Sequence, residues 1–277
     1  MHDLIKKEFV IESGGSRPIV GDLTYINSNQ EKDLIIFCHG YKGFKDWGCW
    51  NLMANKFVSS GFHFLKFNFS HNGGTITNPI DFPDLKAFSE NNYSIEVNDV
   101  SRVIEFIKSD KLSLNYRNTH IIGHSRGGGI ACLAASKFKE IKNLITLASV
   151  SNFGERFPNH NEIEKWKKNG VRYVENMRTK QMLPHLYQFY QNYLENQKEL
   201  NIETAIKKFD GRFLICHGTM DMAVNFKNSL NLLKWAKNGR LFDLRTNHTF
   251  GTKHPNELKD IPIPLNEVID ETIRFLL

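Results

Sequence analysis

The sequence predicts an α/β fold in which a mostly parallel sheet is flanked by helices. Short apolar runs alternate with segments of helical period in the first half of the chain and again from residue 212 onward. This alternation is typical of parallel sheets, because a helix usually makes the crossover between parallel strands. Leu34–Cys38 is an unbroken apolar run, as expected of a strand covered on both faces. With 277 residues, 40% of them hydrophobic, the chain can bury one sizeable core, which favours a single domain over residues 1–277.

The first elements are predicted from apolar runs and from the glycines between them. A leading hairpin is expected, bridged by Gly14–Gly15. Its strands are Lys7–Ile11 and Val20–Ile26, and the next elements are strand Leu34–Cys38, helix Trp47–Ser59 and strand His63–Phe69. Gly61 is expected to end the helix.

A well-patterned helix comes next, with Val97, Val100, Ile104 and Ile107 on one face. The elements predicted after it are strand Asn118–Gly123, helix Ser125–Lys137, strand Lys142–Val150, strand Arg212–Gly218, a helix around Asn225–Lys237, strand Arg240–Leu244 and helix Leu265–Leu277.

Residues 151–211 interrupt this alternation. The segment has no strand-like run and mixes aromatic residues with many Lys, Glu, Asn and Gln. We therefore expect three or four helices that form a cap over the sheet within the same domain. Most of its aromatic side chains should form the core of the cap, but Trp166 and Tyr187 are candidates to line a substrate pocket.

Composition excludes several classes of function. The charged segment Met1–Val10 has no apolar core, so no secretory signal is predicted, and no window approaches about 18 uncharged apolar residues, so no membrane span is expected. The four cysteines are interpreted as reduced core residues of a cytoplasmic protein. The 11 histidines form no cluster with metal-ligand spacing. The net charge of +6 is spread among 30 acidic residues, so no nucleic-acid partner is predicted.

Gly123-His124-Ser125-Arg126-Gly127 has the pattern G-x-S-x-G of a nucleophile elbow. In such an elbow the serine lies on a tight turn between a strand and a helix, and small neighbours let the two elements approach closely. The apolar strand before the motif and the small-residue helix after it supply this context. Ser125 is therefore the candidate nucleophile, and the alternative is a glycine-rich turn without catalysis.

His39-Gly40-Tyr41-Lys42-Gly43 follows the strand Leu34–Cys38. An oxyanion hole needs two fixed N–H donors that point at the carbonyl oxygen as it gains charge. We expect one from the backbone of Arg126 and the other from the backbone of Tyr41. The Tyr41 side chain is also a candidate for substrate contact. The alternative interpretation of this segment is a plain strand–helix loop.

Asp221 is the candidate acid, because it follows the C-terminal end of the strand Arg212–Gly218. There it could hydrogen-bond a histidine and fix its tautomer. Its alternative role is that of a helix cap. Asp210 precedes the strand, and Asp99 lies within a helix, so neither is favoured.

His248 is the candidate general base, because only three residues separate it from the strand Arg240–Leu244. His254, just before Pro255, is the alternative. The order serine, aspartate, histidine along the chain is the one that a nucleophile elbow of this kind calls for. We expect His39, His124 and His217 to support these loops rather than to react.

These four segments together resemble the α/β-hydrolase superfamily: His39–Gly43, Gly123–Gly127, His217–Asp221 and Asn247–Gly251. The likeness is nearest to its small cytoplasmic esterases and to the dienelactone-hydrolase-like and serine-aminopeptidase-like groups. It implies an eight-stranded sheet with one antiparallel strand, a cap after the sixth strand, and no cofactor. It also implies a small-molecule ester as substrate, although the serine departs from the cysteine of the dienelactone hydrolases themselves.

Three other functions stay open at this stage. A peptidase or amidase would use the same three residues, and an acyltransferase would prefer an alcohol or thiol to water as acceptor. A catalytically silent binding protein on the same scaffold would normally lack one of the three. The sequence also leaves open whether the chain forms a homodimer.

Overall fold

The structure is a computed structural model that describes residues 4–13, 16–28, 30–257 and 259–277. The strands of the main sheet are β1 (Leu4–Ser13), β2 (Ser16–Ile26), β3 (Lys32–Cys38), β4 (His63–Phe67), β5 (Tyr116–His124), β6 (Ile141–Leu147), β9 (Arg212–Gly218) and β10 (Gly239–Leu244). Within the described residues these eight strands lie in the order β1-β2-β4-β3-β5-β6-β9-β10.

One of these eight strands runs against the others. β2 pairs antiparallel with both β1 and β4, and every other pair of neighbours in the sheet is parallel. The prediction of a mostly parallel, eight-stranded sheet with one antiparallel strand is therefore confirmed. The predicted bridge Gly14–Gly15 lies outside the described residues.

Helices cover both faces of the sheet. They are α1 (Trp50–Ser59), α2 (Leu85–Glu90), α3 (Tyr93–Lys108), α4 (Arg126–Lys137), α5 (His160–Asn169), α6 (Gln188–Glu195), α7 (Ile202–Lys208), α8 (Lys227–Trp235) and α9 (Ile263–Leu276). Leu34 and Ile36 of β3 face one core with α3, α4 and α7, whereas Ile35 and Phe37 face a second core with α1 and α9. This two-sided burial explains why β3 reads as a continuous apolar run.

Two details differ from the sequence-based prediction. The first helix begins at Trp50 instead of Trp47, because Gly48 takes a φ of +58° and keeps the chain in a turn. The short helix α2 was not predicted. It begins after Asp84, whose side chain accepts a hydrogen bond from the Ala87 N–H at 2.8 Å.

The cap, residues 151–211, departs most from its prediction. It follows β6, the sixth strand, and contains α5, α6, α7 and a short 3₁₀ helix, Gly154–Arg156. It also contains an antiparallel hairpin of β7 (Val171–Glu175) and β8 (Met182–Leu186). The prediction that this segment holds no strand was wrong. Both strands are five residues long, and eight of their ten residues are half-exposed or exposed, so they lack the apolar run that reveals a buried strand.

Two further observations, on membrane spans and on cysteines, apply to all of the described residues. None of the helices in the described residues is long and apolar enough to cross a membrane. All four cysteines are buried and unpaired.

Candidate active site

Ser125 lies between β5 and α4 in a strained backbone conformation, with φ of 56° and ψ of −120°. The turn is possible because its neighbours are glycines. A Cβ atom on Gly123 would lie 2.3 Å from the Gly127 carbonyl oxygen, and one on Gly127 would lie 2.3 Å from the His39 carbonyl oxygen. The hydroxyl group is thereby held at the N-terminal end of α4, where the helix dipole is positive.

His248 and Asp221 meet Ser125 at the carboxyl edge of the sheet. Asp221 follows β9 and His248 follows β10, and these two strands are parallel neighbours. The His248 Nδ1 atom is 2.7 Å from Asp221 Oδ2, and its Nε2 atom is 3.0 Å from Ser125 Oγ. Since a carboxylate accepts hydrogen bonds, Nδ1 carries the proton and Nε2 is left to accept the serine O–H. The structure thus brings together the three residues that the sequence singled out.

Asp221 is held as an anion by its surroundings. Its side chain is fully buried, and burial alone would raise its pKa. Hydrogen bonds from His217 and His248 outweigh this effect and hold the pKa of Asp221 well below its usual range. The other oxygen accepts the N–H groups of Ala223 and Val224 at 2.8 and 2.9 Å. Asp221 therefore also shapes its own turn, but α8 begins only at Lys227, so it is not the cap of that helix.

The loop 39–43 packs directly against the nucleophile. A Cβ atom on Gly40 would lie 3.0 Å from the Cβ of Ser125, and the Gly43 N–H donates to the Gly40 carbonyl at 3.0 Å. His39 donates from Nδ1 to the Gly40 carbonyl and accepts the Phe69 N–H at Nε2. Burial lowers the pKa of His39 to about 4, so this brace is neutral. The turn that carries Tyr41 is therefore held in place beside Ser125.

The remaining histidines of the sheet edge have structural partners. His124 donates from Nε2 to the His248 carbonyl at 3.1 Å, and burial first, then the nearby His248, lowers its pKa to about 3. His217 donates to the Val224 carbonyl at 3.0 Å. His254, the alternative base, accepts the Gly48 N–H at 3.1 Å. In the structure it is His248, and not His254, that reaches Asp221.

Two cavities meet at Ser125 and His248. The cap-side cavity, about 320 Å³, lies between the cap and the start of α4, and Tyr41 and Trp166 both line it. The loop-side cavity, about 610 Å³, lies between the loop 39–43 and the loop 247–254. A larger open groove of about 770 Å³ is lined by Trp235 and other residues but by neither Ser125 nor His248.

Tyr187, the third residue predicted to line a pocket, is not among the residues that line the cap-side or the loop-side cavity. Its ring packs edge-on against Trp166, with centroids 5.9 Å apart. It belongs to the core of the cap.

His185, on β8, joins the cap to the sheet and was not predicted from the sequence. Its Nε2 atom is 2.7 Å from the Tyr41 hydroxyl, and its carbonyl accepts the Trp166 indole N–H at 2.7 Å. The run Val171-Arg172-Tyr173-Val174, directly after Gly170, was a signal that could have revealed this hairpin, because β-branched and aromatic residues favour strands.

A buried ion pair lies behind the nucleophile. The Arg126 side chain, 14% exposed, pairs with the 4% exposed Glu96 at 3.3 Å. The guanidinium lies 4.2 Å from the Tyr41 ring centroid and 5.3 Å from that of Tyr93, so it is also held by cation–π contacts. Burial raises the pKa of Glu96, and Arg126 opposes this shift. The pair fixes the residue that follows Ser125.

Metal ligation has no candidate in the described part of the chain, where no group of three or more His, Cys, Asp or Glu side chains could hold an ion.

Comparisons with known proteins place this architecture. The profile of the alpha/beta hydrolase fold family matches residues 33–196. Among curated protein sequences, none matches the chain significantly. Among solved structures, Est1E from Butyrivibrio proteoclasticus is similar, with a TM-score of 0.72, 18% identity and 97% of each chain covered. A structure of Est1E with ferulic acid bound has the same TM-score and coverage at 19% identity.

Two further structures come from distant organisms. Alpha/beta hydrolase domain-containing protein 10 from mouse has a TM-score of 0.69 and 15% identity, over 98% of this chain and 100% of that one. The esterase Pf2001 from Pyrococcus furiosus has a TM-score of 0.63 and 15% identity, over 99% of this chain and 92% of that one. At such low identity these similarities show the fold alone.

Proposed function

The chain belongs to the α/β-hydrolase fold family, and we propose that it is a serine hydrolase that cleaves carboxylic esters. In this proposal Ser125 is the nucleophile, His248 the general base and Asp221 the acid that orients it. The observation that carries the proposal is the continuous hydrogen-bonded chain from Asp221 through His248 to Ser125 Oγ. Its geometry matches what proton transfer from a serine requires.

The first half of the reaction forms an acyl-enzyme. His248 Nε2 accepts the proton of Ser125 as the serine oxygen attacks the ester carbonyl. The imidazolium that results is stabilised by Asp221, which stays ionised because its pKa is held low. The backbone N–H groups of Tyr41 and Arg126 bind the oxygen that gains negative charge. The close approach of the loop 39–43 to Ser125 supports this role for Tyr41.

The second half releases both products. His248 gives its proton to the leaving alcohol, and a water molecule then attacks the acyl group on Ser125 with His248 again acting as base. The two cavities on either side of Ser125 give the acyl group and the alcohol separate places.

The solved neighbours support a small ester as the substrate class. Pf2001 from Pyrococcus furiosus is an esterase, and Est1E has been captured with ferulic acid, a small carboxylic acid. The cap-side volume of about 320 Å³ is in the range of small-ligand pockets. The buried, unpaired cysteines support the cytoplasmic location that we also propose.

Labelling with a fluorophosphonate probe tests the nucleophile. We expect the wild-type protein to be labelled, Ser125→Ala to be unlabelled, and Ser136→Ala, a serine at the far end of α4, to be labelled normally. A series of p-nitrophenyl esters of rising chain length, with aminoacyl anilides beside it, then separates an esterase from a peptidase. Labelling that persists in Ser125→Ala, or that is missing in folded wild type, would contradict the proposal.

A further inference from the structure

Three arginines line the cap-side cavity, and each comes from a different element. Arg126 opens α4, Arg156 ends the 3₁₀ helix, and Arg172 lies in β7. Among the described residues that line this cavity there is no Asp or Glu. The charges of the cavity wall are therefore all of one sign.

Two of these charges are not neutralised within the described chain. Arg126 pairs with Glu96, but neither Arg156 nor Arg172 makes an ion pair with a described carboxylate. The pKa of Glu162 is lowered mainly by Lys165, with which Glu162 forms an ion pair at 2.9 Å, and Arg172 contributes the smallest part of the shift. Among the described residues, the positive charges of Arg156 and Arg172 therefore remain unpaired in the wall of the cavity.

The other polar groups of the wall do not offset them. Burial first, and then the charges of Arg126 and Arg172, lower the pKa of His185 to about 3, so its ring is neutral at pH 7. Burial raises the pKa of Tyr41, which keeps the hydroxyl protonated. Between these groups the wall is apolar, formed by Phe153, Phe157 and Phe189 among others.

We propose that the ester which this site cleaves carries a carboxylate, and that Arg172, assisted by Arg156, binds it in the cap-side cavity. The inference rests on the proposed esterase function and names the substrate class for it. Guanidinium groups bind carboxylates through paired N–H donors, and such contacts are strongest where aromatic walls exclude water. The apolar rings receive the carbon chain between the ester and the carboxylate.

Arg172 should contribute more than Arg156, because it is half-buried and Arg156 is exposed. Removal of a charged hydrogen-bond donor at a partly desolvated site costs roughly 10- to 100-fold in affinity. Removal of an exposed one costs about threefold.

Paired substrates test the proposal. The acyl arm compares mono-p-nitrophenyl glutarate with neutral p-nitrophenyl pentanoate, and the alcohol arm compares acetylated para-hydroxybenzoate with phenyl acetate. We expect wild type to prefer the anionic member of one pair, and that arm identifies which half of the ester carries the charge. Arg172→Gln should lower kcat/KM for that member roughly 10- to 100-fold relative to the neutral member of the pair, mainly through KM.

One control variant and one defined outcome keep the carboxylate site distinct from the esterase proposal. Lys167→Gln removes an exposed cation of the cap that lines neither cavity, and it should leave the preference unchanged. If neutral esters are cleaved and Ser125 is labelled, but Arg172→Gln leaves both ratios at the wild-type value, the carboxylate site is wrong and the esterase stands.

If no ester is cleaved, the esterase fails, and binding decides the carboxylate site alone. Calorimetric titration with monoethyl glutarate should then show binding to wild type that weakens in Arg172→Gln and at high salt. Equal binding by wild type and Arg172→Gln, or no binding, would overturn the site.

Discussion

The sheet edge and the cap hold their functional groups by different means. At the sheet edge backbone contacts fix the loops: the Ser125 N–H donates to the Leu147 carbonyl at 2.9 Å and the Ala148 N–H to the Cys216 carbonyl at 2.8 Å. The cap is joined to the sheet through side chains, such as the Tyr41 hydroxyl beside His185 at 2.7 Å. Lys42 Nζ likewise donates to a carbonyl of the hairpin, that of Glu175, at 2.8 Å.

This difference indicates that the sheet edge fixes the reacting atoms, whereas the cap determines the shape of the substrate pocket. The backbone of a buried sheet places reacting atoms within tenths of an ångström, as proton transfer requires. An insertion held by side chains can change its pocket without moving Ser125 or His248. Changes at the sheet edge should therefore reduce kcat or fold stability, and changes in the cap should act mainly on KM and substrate choice.

The largest effect is expected from Asp221→Asn at the sheet edge. An asparagine there can donate a hydrogen bond to His248 Nδ1 and so favours the wrong tautomer, in which Nε2 carries a proton and cannot accept that of Ser125. Esterase kcat should fall by about 10⁴. Asp210→Asn is the matched control, since Asp210 lies before β9 and pairs at the surface with Lys237. A loss below about tenfold in Asp221→Asn would show that Asp221 does not orient the base.

The next effect contrasts two glycines. Gly127→Ala puts a methyl group 2.3 Å from the His39 carbonyl oxygen and 2.5 Å from that of Cys38, so the loop 39–43 has to move. We expect the free energy of unfolding in urea to drop by about 3 kcal/mol. Gly170→Ala in the cap meets no atom within 4 Å. Its only cost is the strain of a side chain at a φ of +72°, about 1 kcal/mol. Equal losses would mean that the sheet edge is no more tightly packed than the cap.

The same contrast explains what the sequence could and could not predict. Each strand of the main sheet was expected close to its place, because strands such as β3 and β9 are buried on both faces and read as apolar runs. Ser125 and Asp221 follow the buried strands β5 and β9, and His248 follows the edge strand β10, each at a short distance along the chain. Parallel strands bring their carboxyl ends to one edge, so the topology itself predicts that these three residues meet.

The strands of the cap could not be predicted in this way. The strands β7 and β8 pair only with each other, and eight of their ten residues are half-exposed or exposed, so they contain no buried apolar run. The roles of His185 and Glu96 depend on contacts across 144 residues, to Tyr41, and across 30 residues, to Arg126. A local pattern does not encode pairings of this kind, and the unpaired arginines of the cap-side cavity become visible only when the cap is folded over Ser125.

Acidification should weaken the cap through His185. The folded-state pKa of His185 is about 3, below the ordinary value of about 6.5, so the unfolded state binds the proton first. Its stabilising contribution is complete above pH 6.5 and is lost as the pH falls toward 3. Between pH 7 and pH 5 this one group should cost about 2 kcal/mol of unfolding free energy.

Urea unfolding at the two pH values measures that cost. In His185→Gln the difference between pH 7 and pH 5 should shrink by about 2 kcal/mol, whereas His160→Gln, an exposed histidine of α5, should leave it unchanged. A pH dependence that is the same in wild type and His185→Gln would show that His185 does not contribute to it.

The smallest effect is expected from Tyr41→Phe. This substitution changes the contact of Tyr41 with the cap and leaves its backbone at the sheet edge unchanged. The backbone N–H of Tyr41, assigned to the oxyanion, is retained, but the hydroxyl that meets His185 Nε2 in the cap is lost. An unsatisfied buried ring nitrogen costs about 1 kcal/mol, so KM for esters should rise about fivefold while kcat stays constant. Tyr173→Phe, at a cap tyrosine that is 56% exposed, should change neither constant. A fall in kcat at constant KM would instead place the hydroxyl of Tyr41 at the reacting atoms, because only a contact made in the transition state lowers kcat alone.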